Sequence, residues 1–185
     1  EQISWLNSCS YLWKISPKTG LVDVDGDFDI ERYNLKDFKG VMFGEVKGYF
    51  DCSGNQLTSL DGAPQTVGKN FNCSENQITS LEGAPRTVGR DFECHDNHLT
   101  TLVGAPKTLK GYFNCSGNQL ISLEGAPRTV GRNFYCQNNQ LTSLIGGPKE
   151  VSQNYVIRGN PLVSLEGAPD KVQGTFSYRD NFLDD

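Results

Sequence analysis

Five of the six cysteines, Cys52, Cys73, Cys94, Cys115 and Cys136, stand 21 residues apart. A disulfide framework has no use for such a ruler, whereas a solenoid, in which every coil repeats the last, requires one. With each Cys as zero, an aromatic lies two residues earlier: Phe50, Phe71, Phe92, Phe113 and Phe134. Asn follows three residues later, at Asn55, Asn76, Asn97, Asn118 and Asn139. Leu57, Ile78, Leu99, Leu120 and Leu141 come at plus five, and Leu60, Leu81, Leu102, Leu123 and Leu144 at plus eight. A Gly-Ala-Pro turn closes the unit, and Val67, Val88, Leu109 and Val130 precede the next Cys by six. The frame outlasts the cysteines: Tyr155, Ile157, Asn160, Leu162 and Leu165, then Phe176, Tyr178, Asn181 and Leu183, fill the same slots. Upstream, Phe28, Ile30, Leu35 and Phe38 fit after a 22-residue step and without the Asn. About eight coils result, degenerate at both ends, where caps are expected.

One coil reads simply. Aromatic-x-Cys alternates with period two, so both residues point inward from a short strand. The Asn is placed to satisfy backbone groups of neighbouring turns where the strand bends away. Gly and Pro turn the chain on the far side. No helical period occurs within a coil. The expected fold is mainly β: a solenoid with a parallel sheet, about eight coils and a helix-poor convex side. A ladder of parallel thiols does not converge on a metal, so the cysteines read as small polarisable core residues. Unpaired thiols suit a reducing compartment, which points to the cytoplasm.

The pattern Phe71-x-Cys73-x-x-Asn76-x-Ile78-x-x-Leu81 resembles the leucine-rich repeat consensus. Its 21-residue length and Pro-containing, helix-free back resemble the short bacterial leucine-rich repeats of secreted effectors. The phrasing of residues 71–89 is similar to arrays in proteins of tailed bacteriophages and some bacteria, in which a segment like Val22 to Ile30 precedes the first coil. The resemblance covers about residues 20–185. It implies a leucine-rich-repeat-like solenoid and a viral protein, with a host protein, such as an antiviral defence component, as its partner.

Residues 1–15 lie outside the repeat. Ile3 to Cys9 has room for one or two helical turns, and Tyr11 to Val24, turning at Pro17-Lys18-Thr19-Gly20, reads as a β-hairpin. The segment is too short and interrupted for a signal peptide and lacks a basic start. The expected division is an N-terminal helix and β-hairpin cap over 1–27 and the solenoid over 28–185. The alternative role for Trp5 and Trp13 is to stay exposed and anchor a partner.

Seventeen Lys and Arg against 22 Asp and Glu leave a formal charge of −5. That argues against a broad nucleic-acid footprint, although a local basic stripe survives it. No run of 18 apolar residues occurs, so no membrane span is expected. P-loop, GxSxG, HExxH and strand-to-helix GxGxxG signatures are absent, so the chain reads as non-enzymatic, without a cofactor.

The inward slots repeat while the outward slots vary, and variation on one face of a uniform scaffold marks a binding surface. The candidate partner-binding residues on that concave face are Tyr49, Asp51, Asn72, Asp91, Glu93, His95, Tyr112, Asn114, Tyr135, Gln137, Arg158 and Arg179. The tyrosines would be rigid amphipathic contacts, with amides and carboxylates fixing orientation. The third coil also gathers Asp91, Glu93, His95, Asp96 and His98, which leaves a metal or small-ligand site around His95 as an alternative. Alternate strand positions about 6.5–7 Å apart are wide for shared ligation. Arg86, Lys107, Arg128 and Lys149 form a basic row after successive Pro residues, with Lys69, Arg90 and Arg132 nearby; Asp61, Glu82, Glu124 and Glu166 are placed to counter it. Three functional readings follow: a module that binds a macromolecular partner, a self-assembling or virion-associated accessory using the solenoid ends, and a ligand site at His95.

Overall fold

The computed structural model describes residues 2–9 and 12–183. The chain opens with a helix, α1 (Gln2–Cys9), and an antiparallel hairpin, β1 (Trp13–Ile15) and β2 (Val22–Val24), in which Trp13 faces Val24 and Ile15 faces Val22. Helix and hairpin are thus where the sequence places them; Tyr11 lies outside the described residues. Trp5 packs edge-on against Phe28, with ring centroids 6.2 Å apart, and buried Leu6 joins the core, so α1 covers the first coil. β2 also pairs in parallel with the next coil, which makes cap and solenoid continuous.

Fifteen short strands follow: β3 (Phe28–Asp29), β4 (Phe43–Val46), β5 (Phe50–Asp51), β6 (Thr66–Val67), β7 (Phe71–Asn72), β8 (Thr87–Val88), β9 (Phe92–Glu93), β10 (Thr108–Leu109), β11 (Phe113–Asn114), β12 (Thr129–Val130), β13 (Phe134–Tyr135), β14 (Glu150–Val151), β15 (Tyr155–Val156), β16 (Lys171–Val172) and β17 (Phe176–Ser177). The odd strands from β3 to β17 form one parallel sheet of eight, and seven turns of solenoid connect them. The even strands form a second ladder, divided between β8 and β10 into sheets of five, with β1 at its edge, and four. The far side is therefore not merely extended. It carries a parallel ladder of its own, because the outward Thr and inward Val of each Thr-Val pair alternate as a strand does.

The core is one contiguous cluster along the solenoid axis. Phe28, Phe50, Phe71, Phe92, Phe113, Phe134 and Tyr155 stack rung on rung, with centroids 5.2–5.9 Å apart. Each such ring contributes about 1.5–3 kcal/mol by leaving water. Tyr155 fills a Phe slot, and its hydroxyl extends to 3.4 Å from where a Cβ on Gly147 would sit. That coil alone carries Gly-Gly-Pro in place of Gly-Ala-Pro, so the extra oxygen and the missing methyl share one space. The five repeat cysteines are free and fully buried, and the Sγ atoms of Cys52, Cys73, Cys94 and Cys115 each donate to a carbonyl of the following coil at 3.3–3.4 Å. Burial pushes the thiols up, which keeps them protonated.

The Asn ladder holds the bend after each main strand from β5 onward, and Asn55 also serves the first coil, which lacks its own Asn. Asn118 Nδ2 donates to the carbonyls of Cys94, Cys115 and Ser116 at 3.0–3.2 Å, and its Oδ1 accepts the Leu99 N–H at 3.0 Å. One amide thereby bonds backbone groups of two coils where the strand ends, and of these the Ser116 carbonyl also accepts the Asp96 N–H at 3.0 Å. The residue before each Asn is left-handed, at Gly54, Glu75, Asp96, Gly117, Asn138, Gly159 and Asp180, as is Arg32 in the first coil where Tyr33 takes the Asn slot, which turns the chain off the sheet. Between the two ladders the coils pack backbone to backbone. A Cβ on Gly68 would lie 2.1 Å from the Lys47 carbonyl oxygen, so only glycine fits there.

Candidate functional site

The outward face of the main sheet is knitted by its own side chains. Asp51 Oδ1 accepts from the N–H and hydroxyl of Ser53 at 2.9 and 2.6 Å, and Oδ2 accepts from Asn72 Nδ2 at 3.0 Å. Asn72 repeats the motif with Ser74, and Asn114 with Ser116. These polar residues are already bonded along and across the rungs, so the face is preorganised.

At the centre, Tyr112 donates its hydroxyl to Glu93 Oε1 at 2.6 Å, and Glu93 Oε2 lies 3.6 Å from His95 Nε2. Alternate positions on this strand therefore touch, because both side chains lean together. Asp96 Oδ2 sits 2.9 Å from His95 Nδ1, and Tyr135 meets Tyr112 edge-on with centroids 6.2 Å apart. Glu93 raises the His95 pKa to about 8; burial opposes it and Asp96 adds to it. Asp96 is the nearer partner, but its carboxylate is 63 % exposed against 21 % for Glu93, so solvent screens it more. Burial pushes Glu93 up, yet the hydrogen bonds from His95 and Tyr112 outweigh it and leave the carboxyl below its usual range. Burial and Glu93 both push Tyr112 up.

The His95 pKa is thus higher folded than unfolded. The stability from its pairing is complete below about pH 6.5 and fades as pH rises through about 8. An NMR titration of the His95 ring should give a midpoint near 8, and Glu93→Gln should return it toward the ordinary value.

The other candidates divide. Asp91 turns out of the surface: it is 4 % exposed, and its Oδ1 accepts the Tyr112 N–H at 3.0 Å. It braces the rung beneath Tyr112. Gln137 is half-buried on the same face, with Oε1 sheltered. Arg158 and Arg179 are exposed at the C-terminal end, around a depression they share with Ser177, Tyr178 and Asp180. Tyr49 donates to Asp29 Oδ2 at 3.3 Å, and with Asp51, Asn70, Asn72 and Glu93 these residues line a depression of about 220 Å³. Asp29 is absent from the sequence-derived set. Its signal was available, because Phe28 and Ile30 hold aromatic and Cys slots and so place Asp29 outward.

The expected countering of the basic row does not occur. Among the described residues, Asp61, Glu82, Glu124 and Glu166 make no ion pair. They precede the Gly-Ala-Pro turn and the basic row follows it, and the Asp61 carboxylate takes the Ser59 hydroxyl instead. Among the described residues, no group of three or more His, Cys, Asp or Glu side chains is placed to hold a metal ion, and no helix is long and apolar enough to cross a membrane.

Fold and site together define a helix-poor parallel β solenoid of 21-residue repeats with a polar, tyrosine-bearing outer face. Comparison with protein-family models, curated proteins and solved structures finds no match.

Proposed function

We propose that the protein is a non-enzymatic interaction module whose outward main-sheet face binds a macromolecular partner, most plainly another protein. The supporting observation is the Glu93–His95–Tyr112–Tyr135 group, half-buried amphipathic side chains held by mutual contacts on a rigid ladder. Tyrosines so held lose little freedom on binding and suit interface hot spots. The same contacts engage Glu93 with both His95 and Tyr112, which fits anchoring better than acid–base turnover. The resemblance to bacteriophage arrays supports a host protein as partner, a defence component that the module would inhibit in the host cytoplasm.

The test is quantitative affinity purification with a Tyr112→Ala/Tyr135→Ala double variant. Recovery of the partner should fall at least about tenfold, as for loss of two hot-spot tyrosines, while the melting temperature stays within a few degrees. Undiminished recovery by a folded double variant overturns the reading.

A second reading, self-assembly, draws on the C-terminal end of the solenoid. There Tyr178, in the slot that buried Cys fills in interior coils, is 48 % exposed, and Val163 and Phe182, in outward slots, add apolar surface at 67 and 72 % exposure. Light scattering decides it: a mass that stays monomeric across concentrations excludes assembly.

A further inference from the structure

We propose that the second ladder carries a docking surface for the phosphate backbone of double-stranded nucleic acid. Residues 86–90, 107–111 and 128–132 flank and include β8, β10 and β12, and each of the three segments holds two cations and no anion. The six, Arg86, Arg90, Lys107, Lys110, Arg128 and Arg132, are exposed, and none pairs with a carboxylate among the described residues. Backbone bonds stack them coil on coil: Arg128 N–H donates to the Lys107 carbonyl at 2.8 Å, Gly111 N–H to Arg90 at 3.0 Å and Arg132 N–H to Gly111 at 3.1 Å. Rungs about 4.8 Å apart therefore line up like charges.

The same column nearer the cap behaves differently. Lys47 meets Asp25 at 2.8 Å and Lys69 meets Asp27 at 3.1 Å. Positive charge is neutralised there and left free from Arg86 onward. The net charge of −5 conceals this segregation, because Asp51 and Glu93 lie in the other sheet.

The chemistry of the stripe selects the occupant. Thr87, Thr108 and Thr129 lie between the cations, while Val88, Leu109 and Val130 are buried, so the stripe presents hydroxyls and cations and no apolar or aromatic anchor. A protein partner of ordinary affinity needs such an anchor. Single strands need aromatic platforms for their bases. A duplex backbone needs only cations, and release of its condensed counterions drives the binding.

The probe is a fluorescein-labelled 24-base-pair DNA duplex read by anisotropy. At 50 mM salt the Kd should be on the order of 10 μM, and about four phosphate contacts should weaken it about a hundredfold by 200 mM. Arg86→Glu/Arg128→Glu/Arg132→Glu should lose at least fiftyfold, and the corresponding Gln triple variant should lose less. Lys14→Glu/Lys18→Glu, on the exposed cap hairpin, should change the Kd less than twofold. Each variant is checked for wild-type circular dichroism, and the Gln variant decides should the Glu variant misfold. The proposal is overturned by no binding at 100 μM protein and 50 mM salt, or by equal loss in the cap variant. It is also overturned by tighter binding of the single strand, or by an acidic peptide or anionic vesicles binding where the duplex does not.

Discussion

Asn118→Ala should lower the unfolding free energy by about 3–5 kcal/mol, a large part of what a domain of this size possesses. The side chain is buried among four backbone partners: the carbonyls of Cys94, Cys115 and Ser116, and the Leu99 N–H. Alanine removes all four bonds and offers no replacement. Each stranded group costs about 1–3 kcal/mol, moderated where a carbonyl keeps another donor or the coil relaxes to admit water. Asn118→Asp sharpens the test. It retains an acceptor for Leu99 but turns a carboxylate toward three carbonyl oxygens. The aspartyl pKa must therefore rise above its unfolded value near 3.9. Its extra destabilisation is present in full above the folded-state pKa and is relieved as pH falls through it to the unfolded value. Urea unfolding at pH 7 should rank Asp below Ala, and the gap should narrow at pH 4. Equal midpoints for wild type and Asn118→Ala would show that the ladder is dispensable.

Phe113→Ala should cost about 3–5 kcal/mol, while Phe176→Ala should cost about 1 kcal/mol. Phe113 is fully buried between Phe92 and Phe134, with centroids at 5.4 and 5.5 Å. Its neighbours are pinned by the backbone ladder on both sides and cannot collapse into the cavity. Phe176 is half-buried in the last coil, where water already reaches its ring and one rung alone supports it. In an array whose coils touch only their neighbours, the difference reports the stacking energy itself. Thermal unfolding of the two variants measures it. Equal losses would mean that the C-terminal coil is packed as tightly as the centre.

Much of the fold was legible because each coil must meet the next through identical contacts. Phe50, Cys52, Asn55 and Leu57 recur at a fixed period since the slot each fills recurs, and a solenoid cannot shift one without opening its ladder. The cap was legible from the break in that period and from Pro17 to Gly20. The second ladder was less so: Thr66–Val67 and its equivalents are two residues long, too short for any pattern, and pair only because stacking brings them into register.

The site was half legible. Outward placement of Tyr112, Glu93 and His95 follows from alternation with the inward Phe and Cys slots, but their mutual bonding depends on the lean of side chains between rungs. Asp91 shared the same alternation, yet it folds back to cap the Tyr112 N–H at the corner between the sheets. The charges show the limit most clearly. Opposite signs close in sequence, such as Glu82 and Arg86, form no pair because a tight Gly-Pro turn intervenes, whereas Asp27 and Lys69, 42 residues apart, do.

The sequence by itself determined the solenoid, its period, its inward residues and its helix-poor coils, because these are repeated local demands of burial and backbone hydrogen bonding. Only the tertiary structure decided which carboxylates meet which cations. Coulomb pairing depends on distance through space, and stacking sets that distance to about 4.8 Å between residues a full coil apart.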